Sequence, residues 1–252
     1  MKILVTFAVD AEFAPWRKLR HFEKLSRTGV DSYSTAIGQA DVKVLLTGIG
    51  GKKPWVAATK VLWDGDIDLC VSSGLAGALS PEHQLGEVLA AQSLYSTQRK
   101  TSILCDPELV ETAATCGAKV VKAFYSADRV AVRADEKREL RWRADAVEME
   151  SADILFEVAA FGAKGIAVRG ISDMSEQDLP LDFNRVTTDS GEVSLARVFG
   201  QVIQNVTAIP SLIRFGQQSQ LAASKLAEFL DRYLESLAAT NTLRLKQGAS
   251  IA

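Results

Sequence analysis

Four carboxylates stand where this sequence could do chemistry. Val147-Glu148-Met149-Glu150-Ser151 sets two of them around a methionine where a periodic helix begins. The apolar run Gly165-Ile166-Ala167-Val168-Arg169-Gly170-Ile171-Ser172-Asp173 ends a strand in a third, at the place where open α/β sheets bind their ligands. The fourth, Glu12, lies at the corner between the first strand and the first helix. Carboxylates suit paired proton transfer because burial can keep one protonated while another stays ionised. The two longer stretches are therefore read as one active site. For Glu12 the spacing alone favours a plainer role, a first-turn acid that complements the helix dipole.

The elements that must position these groups follow from the periodicities. Residues 3–9 read as a buried strand, closed by Asp10-Ala11-Glu12 before Phe13-Ala14-Pro15-Trp16 opens a helix. Residues 31–37 and 42–47 read as a hairpin leading to Thr47-Gly48-Ile49-Gly50-Gly51, a tight turn with exposed N–H groups ahead of a helix at Val56–Leu62. That turn lacks the third glycine of the dinucleotide fingerprint and the Gly-Lys-Ser/Thr ending of the P-loop. Residues 67–73 give another buried strand, and Gly74-Leu75-Ala76-Gly77-Ala78 follows it with no bulky polar group. This suits either ligand approach to the backbone or close packing of a crossover. Strands over 85–91 and Lys119–Tyr125, and a helix over Pro107–Thr115, complete the first half. Later helices are marked by Ile154, Leu155, Val158 and Ala159, by Leu195–Ile203, and by Leu226–Leu237. Alternating strands and helices predict a single-domain three-layer α/β sandwich over residues 1–238 with a mixed, mostly parallel central sheet. Residues 239–252 carry no periodicity and are read as a frayed tail.

Composition narrows the partner. With 47% hydrophobic residues, 24% charged residues and a net charge of −2, basic residues are scattered rather than patched, which argues against a nucleic-acid surface or a polybasic membrane contact. A small molecule is the expected ligand. The N-terminus meets Asp10 and Glu12 too soon for a signal peptide, and no apolar run approaches the roughly 18 residues of a membrane span, so a cytoplasmic protein is expected. Cys70, Cys105 and Cys116 are odd in number and lack metal-ligand spacing, and they read as buried free thiols rather than a disulfide or a zinc site, with no metal or cofactor implied.

The constellation resembles the purine and uridine phosphorylase family, and within it the 5′-methylthioadenosine/S-adenosylhomocysteine nucleosidases. The resemblance spans roughly residues 1–205. It rests on the opening strand with Glu12, the Gly48-Ile49-Gly50 turn, Ser73-Gly74-Leu75-Ala76-Gly77, Val147-Glu148-Met149-Glu150 and Arg169-Gly170-Ile171-Ser172-Asp173. The last two motifs, at their mutual spacing, are the specific ones. It implies a nucleoside substrate, with Glu150 holding the ribose 2′- and 3′-hydroxyls and Met149 packing on the sugar. Asp173 would donate a proton toward N7 of the purine, and Glu12, with Arg169 nearby, would bind and deprotonate the attacking water. Glu148, Ile49, Ala76, Gly77, Val130 and Ser172 would complete the substrate site. Such a division of labour suits a glycosidic C–N bond, which breaks through an oxocarbenium-like state and needs an acid at the leaving base and a base at the water.

The sequence also departs from that family. The serine of the small-residue turn is Leu75 here, the aromatic residue that stacks on the base is Val130, and the loop after Tyr95 is short. From Asp189-Ser190-Gly191 through Ile209-Pro210-Ser211-Leu212-Ile213-Arg214 the chain resembles the hopanoid-associated branch, whose substrate is adenosylhopane. Family phosphorylases carry a phosphate-holding arginine where this chain has Ser72, which favours water over phosphate unless Arg17 or Arg20 serves instead. A homodimer is expected, since family members complete the 5′ pocket with a neighbouring chain. A nucleoside-binding protein without catalysis is a rival reading, against which stands the joint presence of Glu12, Glu150 and Asp173.

Overall fold

The computed structural model describes residues 1–25, 31–49, 59, 66–186 and 209–249. Its spine is β1 (Lys2–Phe7), where Ile3, Leu4, Val5 and Phe7 are buried as a continuous apolar run demands of an interior strand. β1 pairs in parallel with β4 (Ala40–Leu46) on one side and β5 (Leu69–Ser72) on the other. β3 (Ser32–Ile37) forms the expected hairpin with β4, turning through Gly38 at φ 56°, and β2 (Glu23–Leu25) adds an exposed antiparallel edge.

β11 (Lys164–Asp173) lies between β5 and β6 (Leu75–Ala78), parallel to both. Past β6 come β10 (Ala146–Glu148), β9 (Lys119–Ser126), β7 (Val88–Ser96) and β8 (Thr101–Leu104). The first residues of β7 pair antiparallel with Val168–Gly170 of β11, while the strand as a whole runs parallel to β9. Strands β11, β6, β10, β9 and β7 thus close on themselves, where the sequence predicted an open sheet. Small residues allow this tight curvature, among them Gly77, Ala78, Ala90, Ala91 and Gly170. The sheet is mixed as expected, but its parallel majority is slim: six pairings are parallel (β1–β4, β1–β5, β5–β11, β11–β6, β10–β9, β7–β9) against five antiparallel among the described strands.

Helices cover both faces of β11. At Gly165 a Cβ would lie 2.9 Å from Leu155 Cγ of α4 (Ser151–Ala160), and at Gly170 it would lie 2.8 Å from the Ala222 carbonyl of α6 (Ile209–Ala249). An odd separation along a strand puts these contacts on opposite faces. α6 also packs on α1 (Asp10–Leu19), where Trp16 Nε1 donates to Asp231 and Arg20 bridges Asp231 and Glu235. α2 (Pro107–Thr115) begins as read, with Asp106 accepting from the N–H groups of Glu108 and Leu109 and proline in the first turn. No described helix is long and apolar enough to cross a membrane.

Several expectations are corrected. α1 begins at Asp10, not Phe13, because Glu12 reaches back to accept from the N–H groups of Ala8 and Val9 and so closes the first turn. The small-residue run 75–78 is a strand, and Val147-Glu148 belongs to strand β10 ahead of the helix. The last helix starts seventeen residues before Leu226 and continues through Ala249, so the backbone stays helical across most of the segment read as a tail. Thr-Leu-Arg-Leu-Lys-Gln there are mostly good helix formers even without an apolar stripe. β2, β8 and α3 (Ala134–Leu140) escaped the sequence reading. The predicted helix at 195–203 lies outside the described residues, as does that at 56–62 apart from Thr59, which is helical.

Candidate active site

At the carboxyl ends of β1, β10 and β11, and along Leu75–Gly77 of β6, the structure opens a cavity of about 630 Å³. Glu12 reaches its wall from the first turn of α1, pinned by three backbone donors. Leu75 N–H reaches Oε1 at 3.0 Å, and Ala8 and Val9 N–H reach Oε2 at 2.9 and 3.3 Å. The first-turn position that complements the helix dipole thus also places this side chain on the cavity wall. Burial pushes its carboxyl above the usual range, opposed by the Leu75 N–H and by the charge of Arg169.

Asp173 ends β11, lines the same cavity and is 5% exposed. A shift of register between Ile171 and Asp173 along β6 marks a bulge, the local device by which a strand re-aims a side chain. Ser172 Oγ donates to Asp173 Oδ1 at 2.7 Å and lies 3.3 Å from the Ala76 carbonyl. The other oxygen, Oδ2, pairs with the ammonium of Lys137 from α3, a fully buried side chain. Sequence reading missed Lys137, because it lies among Asp135, Glu136, Arg138 and Glu139 and looks like part of a solvated face. The available hint was its spacing of three from both Ala134 and Leu140.

The two glycines of the small-residue run make room for the two carboxylates. A Cβ on Gly74, which sits at φ 146°, would stand 3.1 Å from Glu12 Oε1, and one on Gly77 would stand 2.8 Å from Asp173 Oδ2. Of the two readings left open for this run, the close approach is made by the protein's own acidic groups.

Glu148 and Glu150, two residues apart, are used differently. Burial alone would raise the Glu148 carboxyl, but the Arg169 guanidinium, the Ser126 hydroxyl and the N–H groups of Ser151 and Glu150 hold it below the usual range. It caps α4 as well as lining the cavity. Glu150 lies on the wall beside Met149, its Oε2 3.9 Å from Arg169. Ile49, Ala76, Gly77, Val130 and Ser172 also line the cavity, Val130 being held by the Asn184 amide through its own N–H and carbonyl. Arg169 is the predicted residue that does not reach the wall. It is 1% exposed behind Glu148, bonded to Glu148 Oε2 at 2.6 Å and Ser151 Oγ at 2.7 Å, and acts on Glu12 through charge alone. The sequence did not single out Phe183 of α5 (Phe183–Val186) or Phe215 and Gly216 of α6, which also line the cavity. Among the described residues, no cluster of histidine, cysteine or acidic side chains could hold a metal ion.

A mixed sheet bearing a strand-end aspartate, a glutamate pair at a helix start and a buried glutamate on one cavity defines an α/β protein with an acidic pocket at its strand ends. The chain belongs to the phosphorylase superfamily, whose family model matches residues 2–235. Solved structures with the same fold include futalosine hydrolase of Helicobacter pylori, at 20% identity over 93% of this chain and 97% of that one, with a TM-score of 0.71. The 5′-methylthioadenosine/S-adenosylhomocysteine nucleosidase of H. pylori is similar at 19% identity, 93% and 98% coverage and a TM-score of 0.72. That of Neisseria meningitidis gives 19% identity, 93% and 99% coverage and a TM-score of 0.70.

Proposed function

We propose that this protein is a purine nucleosidase that hydrolyses the N-glycosidic bond of 5′-modified adenosine nucleosides. The observation that carries the reading is the placement of Glu12 and Asp173 on one cavity, each given its space by a glycine of the same short run. A nucleoside lying between them would present its sugar to Glu150 and Met149 and its base to Val130 and Asp173. Glu12 takes a proton from water as oxygen attacks the anomeric carbon. Asp173 delivers one to N7 as the C–N bond breaks, so that adenine leaves neutral. Arg169 supports the first step by favouring ionised Glu12.

Water rather than phosphate is the nucleophile in this reading. Ser72, where the family's phosphorylases carry arginine, is fully buried against Ser151 Oγ at 3.0 Å. Arg17 is paired with Asp10, and Arg20 with Asp231 and Glu235, so both are committed elsewhere. The cavity volume falls within the roughly 300–1,000 Å³ of sites for drug-sized ligands, and the aromatic side chains of Phe183 and Phe215 suit a bulky apolar 5′ substituent, of the methylthio or adenosylhopane kind. A second copy of the chain covering the open side belongs to the same proposal, as does cytoplasmic action. Light scattering would then give twice 27.3 kDa, and a monomer at micromolar concentration would remove the dimer.

The deciding assay follows adenine release from adenosine and from 5′-alkylthio and longer 5′-alkyl derivatives, with dialysed enzyme, with and without phosphate. Free ribose products without phosphate are expected, with the modified nucleosides turned over faster than adenosine. Activity that appears only with phosphate and yields ribose 1-phosphates makes the protein a phosphorylase. Binding without turnover in either buffer makes it a nucleoside-binding protein.

A further inference from the structure

The Lys137 side chain has no part in the mechanism above, yet it is fully buried against the group assigned as the acid. Its ammonium has three protons and three acceptors: Asp173 Oδ2, the Met174 carbonyl at 2.9 Å and the Gln177 carbonyl at 2.9 Å. A buried lysine whose only charged partner among the described residues is one carboxylate is costly to keep for stability alone, since apolar replacement of such pairs is often neutral or better. The neighbouring charges are engaged elsewhere. On α3, Glu136 pairs with Arg129 and accepts from Val132 and Arg133 N–H, Arg133 and Asp135 pair with each other, and Asp178 of the facing loop accepts from Ala134 N–H. Across the cavity, Glu148 is taken by Arg169, and Glu12 is held by backbone donors.

We propose that the acid of this site is the Lys137–Asp173 pair, with Lys137 as the positioning residue that stores the proton Asp173 delivers. In the resting pair the dissociable proton is on Nζ and Asp173 is a carboxylate. As the C–N bond breaks and its electron pair moves into the purine, the proton crosses from Nζ to Oδ2 and the carboxyl protonates N7. Lys137 is left as a neutral amine, which regains a proton from solvent when products leave. This rests on the nucleosidase reading, and it predicts where activity is lost on the alkaline side. An ammonium releases its proton several pH units above a carboxylic acid, so the pair keeps a deliverable proton further into alkaline pH than an isolated carboxyl would.

The test measures kcat and KM against pH for wild type, Lys137→Met, Lys137→Gln, Asp173→Asn and the double variant Lys137→Met/Asp173→Asn, with thermal unfolding in parallel. Lys137→Gln keeps donors for Asp173 and the carbonyls, so it serves if the methionine variant does not fold. The expected result is a fall in kcat of at least about 30-fold for the folded single variants with KM within about threefold, and, for the Lys137 variants, an alkaline limb displaced to lower pH. Lys137→Met should cost nothing further in the Asp173→Asn background, because both act through one proton. An alkaline limb that stays in place, or losses that multiply in the double variant, overturns the proposal and leaves Lys137 a structural residue. A wild type that releases no purine from any nucleoside instead overturns the reading of the site.

Discussion

In the proposed reaction Asp173 delivers a proton and Glu12 takes one up, and their surroundings differ: Asp173 is paired with Lys137, whereas Glu12 is held by backbone N–H groups. Asparagine at 173 keeps the size and most of the hydrogen bonding of aspartate but has no proton to give. Asp173→Asn should lower kcat by at least about 100-fold, roughly 3 kcal/mol of barrier, with little change in inhibitor affinity. If the side chain merely capped the following turn, asparagine would be nearly silent. Glu12 acts when deprotonated, and burial raises its carboxyl, so kcat/KM should fall on the acid side with an inflection above the ordinary glutamate range. Glu12→Ala should lose at least about 100-fold and flatten that limb; a limb that persists assigns it to another group. Glu148 carries the opposite sign. Its folded-state carboxyl is lowered, so its contribution to stability is present above the unfolded value and is lost as pH falls through the folded one. Glu148→Gln strands the buried Arg169 charge and should destabilise the protein by about 3–5 kcal/mol near neutrality. Denaturation at several pH values should show that gap narrowing in acid, where wild-type Glu148 is protonated too.

Among the elements, β6 is the one whose small residues make room for a buried carboxylate. Its Gly77 has no side chain because Asp173 Oδ2 occupies the space, and the bulge at the end of β11 aims the aspartate into that space. Alanine at 77 would put a Cβ 2.8 Å from the carboxylate, and the aspartate must move. Displacements of about 1 Å in a reacting group can cost about 10²-fold, so Gly77→Ala should lose kcat on that scale while unfolding at nearly the wild-type temperature. Normal turnover in this variant would show that the carboxylate's position is not critical. α4 contributes through its start: the N–H groups of Glu150 and Ser151 are taken by Glu148, which fixes the backbone from which Glu150 projects.

For the molecule as a whole, α6 ties the two halves of the site together. It packs on α1, which carries Glu12, and over Gly170 of β11, which carries Asp173, and its Phe215 reaches the cavity. Leu226, Leu230, Tyr233 and Leu234 are fully buried, and Tyr233 Oη donates to the Leu109 carbonyl at 3.0 Å. Leu230→Ala should destabilise by about 2–5 kcal/mol, seen as a lower urea midpoint with an unchanged slope. A substitution there that costs under about 1 kcal/mol would mean that the helix is docked only loosely on the sheet.

The sequence by itself determined what local signals encode. Asp106-Pro107 fixes the start of α2, the apolar runs of β1 and β11 read directly as buried strands, and Glu150 and Asp173 follow from where a helix starts and a strand ends. Those signals act within a few residues, through capping, φ restriction and hydrophobic period. Tertiary structure decided what depends on partners far along the chain. Lys137 meets Asp173 across 36 positions, Arg169 turns to Glu148 across 21, and Phe183 and Phe215 close a cavity built mostly by other elements. No local pattern distinguishes a buried lysine from a solvated one in a run of charges, because burial is a property of the packed surface and not of the helix that bears the residue.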